Sequence, residues 1–144
     1  MGRIGRNRFV LWRSGGYEFM NVLMIEDEPV LLDITASFFE EYGKKHGIEF
    51  NFVTMDDSVQ GLFETTTKGE KYDLILLDVR LPRLTGDEIY QSLSYVNPDI
   101  LERILFVTSY RDDLITRFPD TDLRILDKPY RYDRFEASIS AMLQ

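Results

Sequence analysis

The sequence predicts an α/β fold: a doubly wound, five-stranded parallel sheet in three layers. Two observations predict it. Five short apolar segments alternate strictly with segments whose apolar residues recur at helical spacing, and the third of them, DLILLD at residues 73–78, has an uninterrupted apolar centre. A run of this kind is typical of a strand that is buried on both faces, as in sheets covered by helices. A chain of 144 residues, 44% of them hydrophobic, suits one such domain.

The first two strand–helix units have clear local signals. NVLMI at residues 21–25 reads as the first strand, Pro29 opens a helix, and Gly43 is expected to close it. The apolar residues of that helix share one face: Val30, Leu31, Ile34, Phe38 and Phe39. IEFNFVTM at residues 48–55 alternates as a strand does. Asp56 or Asp57 is then positioned to cap a second helix that runs through about Lys68.

The remaining units continue the same alternation. After the central strand, Thr85 or Gly86 begins a helix that Pro98 ends. Four further segments supply two strands and two helices: RILFVTS at 103–109, DDLITRF at 112–118, LRILDK at 123–128 and YDRFEASISAML at 132–143. In the flavodoxin-like strand order, 2-1-3-4-5, the first and third strands are neighbours, and ligands bind beyond their carboxyl ends.

Charge is distributed unevenly along the chain. Residues 1–17 carry four arginines and no acid, whereas the whole chain has a net charge of −8. The remaining body is therefore strongly acidic, which argues against a nucleic-acid partner. No apolar run approaches the roughly 18 residues of a membrane helix, and no membrane partner is expected. We expect residues 1–19 to be a basic extension, disordered or the result of a misassigned start, and residues 20–144 to be the domain.

Acidic side chains follow two of the predicted neighbouring strands. Glu26 and Asp27 come directly after the first strand, and Asp78 ends the third. Each alone reads most simply as a polar strand end facing water, but three carboxylates at one edge repel each other unless a proton or a cation intervenes. All three are oxygen ligands, and the chain has no cysteine and one histidine. The pattern therefore favours Mg²⁺, and Mn²⁺ fits as well.

The ends of the fourth and fifth strands add groups suited to phosphate. Thr108 offers a hydroxyl, and Lys128, followed by Pro129, offers a compact positive charge. With these neighbours, Asp78 is a candidate nucleophile toward a phosphoryl donor, and Thr108 and Lys128 are candidates for holding phosphate oxygens.

These residues resemble a known family, the receiver domains of two-component response regulators, over about residues 20–144. The resemblance is carried by VLMIEDE, DLILLDVRLPRLTG, ILFVTS and ILDKPY. It implies that Asp78 is the phosphoacceptor, that Asp27 is a direct and Glu26 a more indirect Mg²⁺ ligand, and that the backbone carbonyl of Arg80 completes the metal site. It also implies that Thr108 senses the phosphate, that Lys128 is the site's cation, and that the Lys128–Pro129 peptide is cis.

The same resemblance implies a signalling role rather than an enzyme with a separate substrate. Phosphotransfer and autodephosphorylation would both act on the domain itself. The upstream partner would be a histidine kinase or a histidine phosphotransfer protein, and an unidentified downstream protein would read the signal through altered protein–protein contacts. Because the chain stops soon after the last predicted helix, we expect a stand-alone module, cytoplasmic and either a monomer or a weak dimer.

Three positions bear on mechanism. Many receivers carry Tyr or Phe three residues before the lysine, but this chain has Ile125 there, so the usual coupled rotation of threonine and aromatic ring is in doubt. Arg80 and Tyr110 occupy positions that resemble those modulating the access of water to the acyl phosphate.

Two alternative functions stay open from the residues. The first is a receiver-like interaction module that works without phosphorylation, an option that Ile125 leaves open. The second is a Mg²⁺-dependent phosphohydrolase or a flavin-binding protein on a similar sheet. A haloacid-type phosphatase needs a second aspartate where Arg80 stands, and a flavodoxin-like phosphate loop needs small polar residues where the chain has EDEP.

Overall fold

The computed structural model describes residues 17–144 and, before them, the backbone of three two-residue strands, Arg3–Ile4, Arg8–Phe9 and Leu11–Trp12. The last of these strands pairs antiparallel with Glu18 and Phe19. Most of the basic segment lies outside the described residues, so the extension expected over residues 1–19 stays a prediction.

Five strands of the sheet run parallel, and each coincides with an apolar segment of the sequence. In chain order they are β1 (Glu18–Ile25), β2 (Ile48–Met55), β3 (Leu74–Leu77), β4 (Ile104–Thr108) and β5 (Ile125–Asp127). β1 pairs with β2 on one side and with β3 on the other, and β4 and β5 follow β3. The order 2-1-3-4-5 confirms the predicted doubly wound sheet. β1 begins at Glu18, ahead of the boundary expected at Met20.

Five helices connect or follow the strands as predicted. They are α1 (Pro29–His46), α2 (Ser58–Lys68), α3 (Gly86–Val96), α4 (Arg111–Arg117) and α5 (Tyr132–Met142). Short 3₁₀ turns at Gly69–Lys71 and Pro98–Arg103 lead into β3 and β4. Asp57 caps α2 by accepting the backbone N–H groups of Val59 and Gln60. Thr85 and Glu88 form a reciprocal capping box on α3.

The expected end of the first helix at Gly43 is wrong. α1 continues to His46, and Gly47 ends it with a φ of 69°, the left-handed conformation that glycine adopts without strain. Gly43 lies inside the helix for a different reason. A Cβ at that position would lie 2.3 Å from the carbonyl oxygen of Ile48, so the glycine allows the start of β2 to approach the helix closely.

Alternate residues of the central strands enter two separate apolar clusters, one on each face of the sheet. Leu74 and Leu76 pack with α1 and α5, whereas Ile75 and Leu77 pack with α3 and α4. All four side chains are fully buried, and burial of each contributes roughly 1.5–3 kcal/mol. The sheet is therefore the middle of three layers, as predicted. Within residues 17–144, no helix is long and apolar enough to cross a bilayer.

Candidate functional site

The carboxyl ends of β1, β3, β4 and β5 bring the predicted site residues together. Backbone hydrogen bonds between neighbouring strand ends fix the relative positions of these residues. The Asp78 N–H donates to the Ile25 carbonyl at 3.2 Å, and the Lys128 N–H donates to the Thr108 carbonyl at 2.9 Å. Asp78 is therefore held against the end of β1, and Lys128 against the end of β4. Residues far apart in sequence face one crevice because parallel strands end at the same edge of the sheet.

An acidic cluster lies at the centre of this crevice. Glu26, Asp27 and Asp78 each offer a carboxylate oxygen, and these oxygens all lie within 4.8 Å of one another. Glu26 is fully buried, Asp78 is 4% exposed, and Asp27 is open to solvent. Among residues 17–144, this is the one group of three or more potential metal ligands that meets this spacing. Its hard oxygen donors suit Mg²⁺ or Mn²⁺.

Lys128 is the cation of the cluster. Its ammonium lies 2.7 Å from Glu26 Oε1 and 3.4 Å from Asp78 Oδ2, and its side chain is 11% exposed. It also lies 3.3 Å from Glu28, an exposed carboxylate that was not among the predicted site residues. The position of Glu28 in the acidic run after β1 is the sequence feature that could have identified it. One ammonium cannot neutralise all of these carboxylates. The remaining negative charge favours the binding of a divalent cation.

Burial dominates the protonation equilibria of the cluster. Desolvation raises the pKa of Glu26 from 4.5 to about 7, although the contact with Lys128 opposes it. The second oxygen of Glu26 accepts the backbone N–H groups of Asp27 and Glu28 at 3.0 and 3.2 Å. Burial likewise raises the pKa of Asp78. Burial alone would lower the pKa of Lys128, but the surrounding carboxylates outweigh it and raise that pKa overall. Lys128 is therefore charged at neutral pH.

Thr108 lies on β4, the strand next to Asp78, and Ile125 lies on β5, one strand further along the sheet. Thr108 is completely buried, and its hydroxyl oxygen accepts the N–H of Tyr110 at 2.9 Å. Ile125 pairs with Phe106 in the sheet and packs against the apolar cluster on the α3 and α4 face. An aliphatic side chain thus fills the position where many receivers have an aromatic ring.

Arg80 links two loops at the mouth of the site. Its side chain is exposed and donates two hydrogen bonds to Asp113 Oδ2, at 3.2 and 2.9 Å. The guanidinium carbon lies 3.9 Å from the centre of the Tyr110 ring, a cation–π contact. The loop after Asp78 is therefore tied to the loop after Thr108. The participation of the Arg80 carbonyl in a metal site stays a prediction.

The loop after β5 carries two features. The Lys128–Pro129 peptide is cis, as the resemblance implied. The next residue, Tyr130, is 8% exposed, and its hydroxyl lies 2.5 Å from that of Thr35, in the middle of α1. The two residues are 95 positions apart in the chain. No sequence signal pairs them, so this contact could not be predicted.

Comparison with known families identifies the same region of the chain. Residues 22–140 match the model of the response regulator receiver domain. The cell cycle transcriptional regulator CtrA of Caulobacter vibrioides is 31% identical over 125 residues, which cover 87% of this chain and 51% of CtrA. A response regulatory protein of Vibrio cholerae is 25% identical over 125 residues, covering 87% of this chain and 49% of that protein. The chain thus spans about half the length of these curated relatives.

Solved structures share the fold. A response regulator receiver domain protein from Clostridium thermocellum is 20% identical, has a TM-score of 0.69, and covers 86% of this chain and 94% of its own. The receiver domain of the sensor histidine kinase PA1611 from Pseudomonas aeruginosa, solved with a magnesium ion coordinated in its active site cleft, is 18% identical with a TM-score of 0.69, and covers 86% of this chain and 97% of its own. At these identities the likeness extends to the fold alone.

Proposed function

Since this chain belongs to the response regulator receiver domain family, we propose that Asp78 accepts a phosphoryl group. The observation that carries the proposal is the placement of Asp78 within 4.8 Å of two further carboxylates and 3.4 Å from the Lys128 ammonium. A lone strand-end aspartate that only faces water would need none of these neighbours. The family is a signalling domain of two-component systems, so the phosphoryl group on Asp78 is the signal.

The chemistry assigned to Asp78 is nucleophilic displacement at phosphorus. A carboxylate oxygen attacks the phosphorus of a phosphohistidine, the O–P bond forms as the N–P bond breaks, and the freed imidazole takes up a proton. The donor is a histidine kinase or a histidine phosphotransfer protein. The burial of Asp78 excludes bulk water around the attacking oxygen, and Lys128, 3.4 Å away, is placed to contact the oxygens of the incoming group.

The residues fit a divalent cation, and we assign Mg²⁺ to Asp27 and Asp78, with Glu26 as a more indirect ligand and the Arg80 carbonyl as a backbone one. Glu26 suits the indirect role because its oxygens already contact Lys128 and two backbone N–H groups. When bound there, Mg²⁺ would neutralise part of the negative charge that the transfer brings together. Mn²⁺ fits the same oxygen ligands.

Thr108 is the residue we propose to read the phosphorylated state. Its buried hydroxyl ends the strand next to Asp78 and can turn toward a phosphoryl oxygen, exchanging its contact with the Tyr110 N–H. Such a turn would move the loop that begins α4 and alter contacts with an unidentified downstream protein. Because Ile125 offers no ring to rotate inward, we assign the output to this loop movement. Cytoplasmic location and a monomeric or weakly dimeric state stay predictions.

Intact-mass spectrometry after incubation with acetyl phosphate tests the assignment. We expect the parent protein to gain one phosphoryl group, about 80 Da, only when Mg²⁺ is present. Asp78→Asn should gain none. Asp56→Asn is the matched control, because Asp56 also follows a strand but lies outside the acidic cluster; it should behave like the parent.

Two results would contradict the proposal. Equal phosphorylation of the Asp78→Asn protein would place the acceptor elsewhere. A parent that gains no phosphoryl group, either from acetyl phosphate or from phosphorylated histidine phosphotransfer proteins, would favour an interaction module that works without phosphorylation, the alternative to which Ile125 points.

A further inference from the structure

The hydroxyl groups of Tyr130 and Thr35 form a buried pair behind the lysine of the site. Thr35 is fully buried in α1, Tyr130 is 8% exposed, and their oxygens lie 2.5 Å apart. The Thr35 hydroxyl also contacts the Leu31 carbonyl at 2.7 Å. Since a carbonyl only accepts and threonine has one hydroxyl hydrogen, Thr35 donates to Leu31 and Tyr130 donates to Thr35. The Tyr130 side chain therefore has a defined partner on α1.

Packing of the ring does not by itself explain this pair. The Tyr130 ring lies against Phe38 and Phe135, with ring centres 6.2 and 6.3 Å apart. Phenylalanine would satisfy those contacts, and valine would fill the space of Thr35. Burying two hydroxyls instead gains little net stability, because each exchanges hydrogen bonds to water for one inside the protein. What the pair adds is a directional constraint between α1 and the loop after β5.

That loop sets the position of the Lys128 ammonium. Lys128 is anchored on its strand side by its N–H, which donates to Thr108 at 2.9 Å. On its other side Pro129 has no N–H group to donate, and Tyr130 is the next side chain with a fixed partner. Between these two anchors, the flexible lysine side chain reaches Glu26 at 2.7 Å and Asp78 at 3.4 Å. Small rotations of the loop would shift the ammonium by more than these contacts tolerate.

We propose that Tyr130 and Thr35 are positioning residues that hold the Lys128 ammonium against Glu26 and Asp78 through their buried hydrogen bond. The inference rests on the proposed function, because Lys128 is assigned there to the oxygens of the incoming phosphoryl group. Neither residue touches the reacting atoms, and both act through the lysine. The two hydroxyls contact each other and the Leu31 carbonyl, and neither contacts an oxygen assigned to Mg²⁺, so the pair should affect metal affinity less than it affects phosphorylation.

The test compares two readouts in variants that lose only a hydroxyl. Tyr130→Phe and Thr35→Val should each lower the rate constant of Mg²⁺-dependent phosphorylation at saturating acetyl phosphate by roughly three- to tenfold, the effect of one lost hydrogen bond. The dissociation constant for Mg²⁺, measured by calorimetry, should change less than about twofold, because neither hydroxyl contacts an oxygen assigned to the metal and no hydrogen bond to a ligand is lost. The double variant should be no slower than the slower single variant, because both changes remove one interaction.

Two further variants distinguish a positioning role from a general loss of packing in the fold. Thr35→Ser keeps the hydroxyl and should recover most of the rate. Tyr132→Phe is the matched control: Tyr132 is on the same side of the sheet, but its hydroxyl donates to Glu136 at 3.4 Å rather than to α1. It should phosphorylate at the parental rate. A Tyr130→Phe protein that also keeps the parental rate would overturn the proposal, as would a Thr35→Ser protein as slow as Thr35→Val.

Nitrogen-15 NMR of the lysine side chains gives a direct readout that does not require phosphorylation. Tyr130→Phe should shift the Lys128 Nζ resonance and leave that of Lys44 unchanged, since Lys44 pairs with Glu40 on the exposed face of α1. An unmoved Lys128 resonance refutes the positioning role even if Asp78 is phosphorylated. A shifted resonance in a protein that gains no phosphoryl group supports the positioning role and instead refutes the proposed function.

Discussion

The metal-free protein should lose stability as the pH rises from 5 to 7.5, because folding buries Glu26. Its pKa is raised from 4.5 to about 7 in the folded protein, mainly by desolvation. Between those two values the folded state holds a proton that the unfolded state has released, so the free energy of unfolding falls with rising pH. Once the pH exceeds both pKa values, this shift lowers the free energy of unfolding by about 3 kcal/mol relative to low pH.

The charges around Glu26 determine how to isolate its contribution. Asp78 raises its pKa, Lys128 lowers it, and the Glu28 backbone N–H also lowers it. Glu26→Gln removes this titrating group and should reduce the pH dependence between 5 and 7.5; the buried Asp78, whose pKa is also raised, contributes a slope of the same sign that the variant keeps. Glu28→Gln is the matched control, because Glu28 contacts the same lysine but its side chain is 63% exposed; it should retain the parental slope.

Urea denaturation followed by far-ultraviolet circular dichroism, at intervals of pH and in the presence of EDTA, measures this effect. Repeating the series with saturating Mg²⁺ should restore about 2–3 kcal/mol at pH 7.5, since a ligand at 100 times its dissociation constant stabilises by about that amount. A Glu26→Gln protein with the same pH slope as the parent would refute the reasoning. A slope of opposite sign in the parent that disappears in the variant would refute it as well.

Three other perturbations have defined outcomes. Arg80→Ala, which unties the loop after Asp78 from Tyr110 and Asp113, should expose the acyl phosphate to water and shorten its half-life about threefold or more; a half-life unchanged in a time course of intact mass would contradict this. Thr85→Ala removes the capping box of α3 and should lower the free energy of unfolding by about 1 kcal/mol; urea titration showing no loss would mean that the cap contributes nothing. Gly43→Ala places a methyl group 2.3 Å from the Ile48 carbonyl oxygen and should cost roughly 1–3 kcal/mol; a melting temperature equal to the parent's would disprove the close approach.

Much of the fold was predictable because its signals are local. The uninterrupted apolar run before Asp78 predicts a strand buried on both faces, and β3 is fully buried. Proline at the start of α1 and a capping aspartate before α2 act through adjacent backbone groups, so they can be read without knowing the tertiary structure. The end of α1 was misplaced because glycine has two uses. Gly43 serves close packing and Gly47 the left-handed turn, and only the neighbouring strand distinguishes them.

The doubly wound sheet and the kinds of side chain at its carboxyl edge follow from the amino-acid sequence alone, because periodicity locates the strand ends and parallel strands share one edge. The contacts between those side chains depend on how the strands and helices pack in three dimensions. The distance from Lys128 to Glu26, the pairing of Arg80 with Asp113 and the meeting of Thr35 with Tyr130 join residues 33 to 102 positions apart. The pKa of Glu26 has the same origin, since desolvation arises from neighbours that approach only when the whole chain has folded.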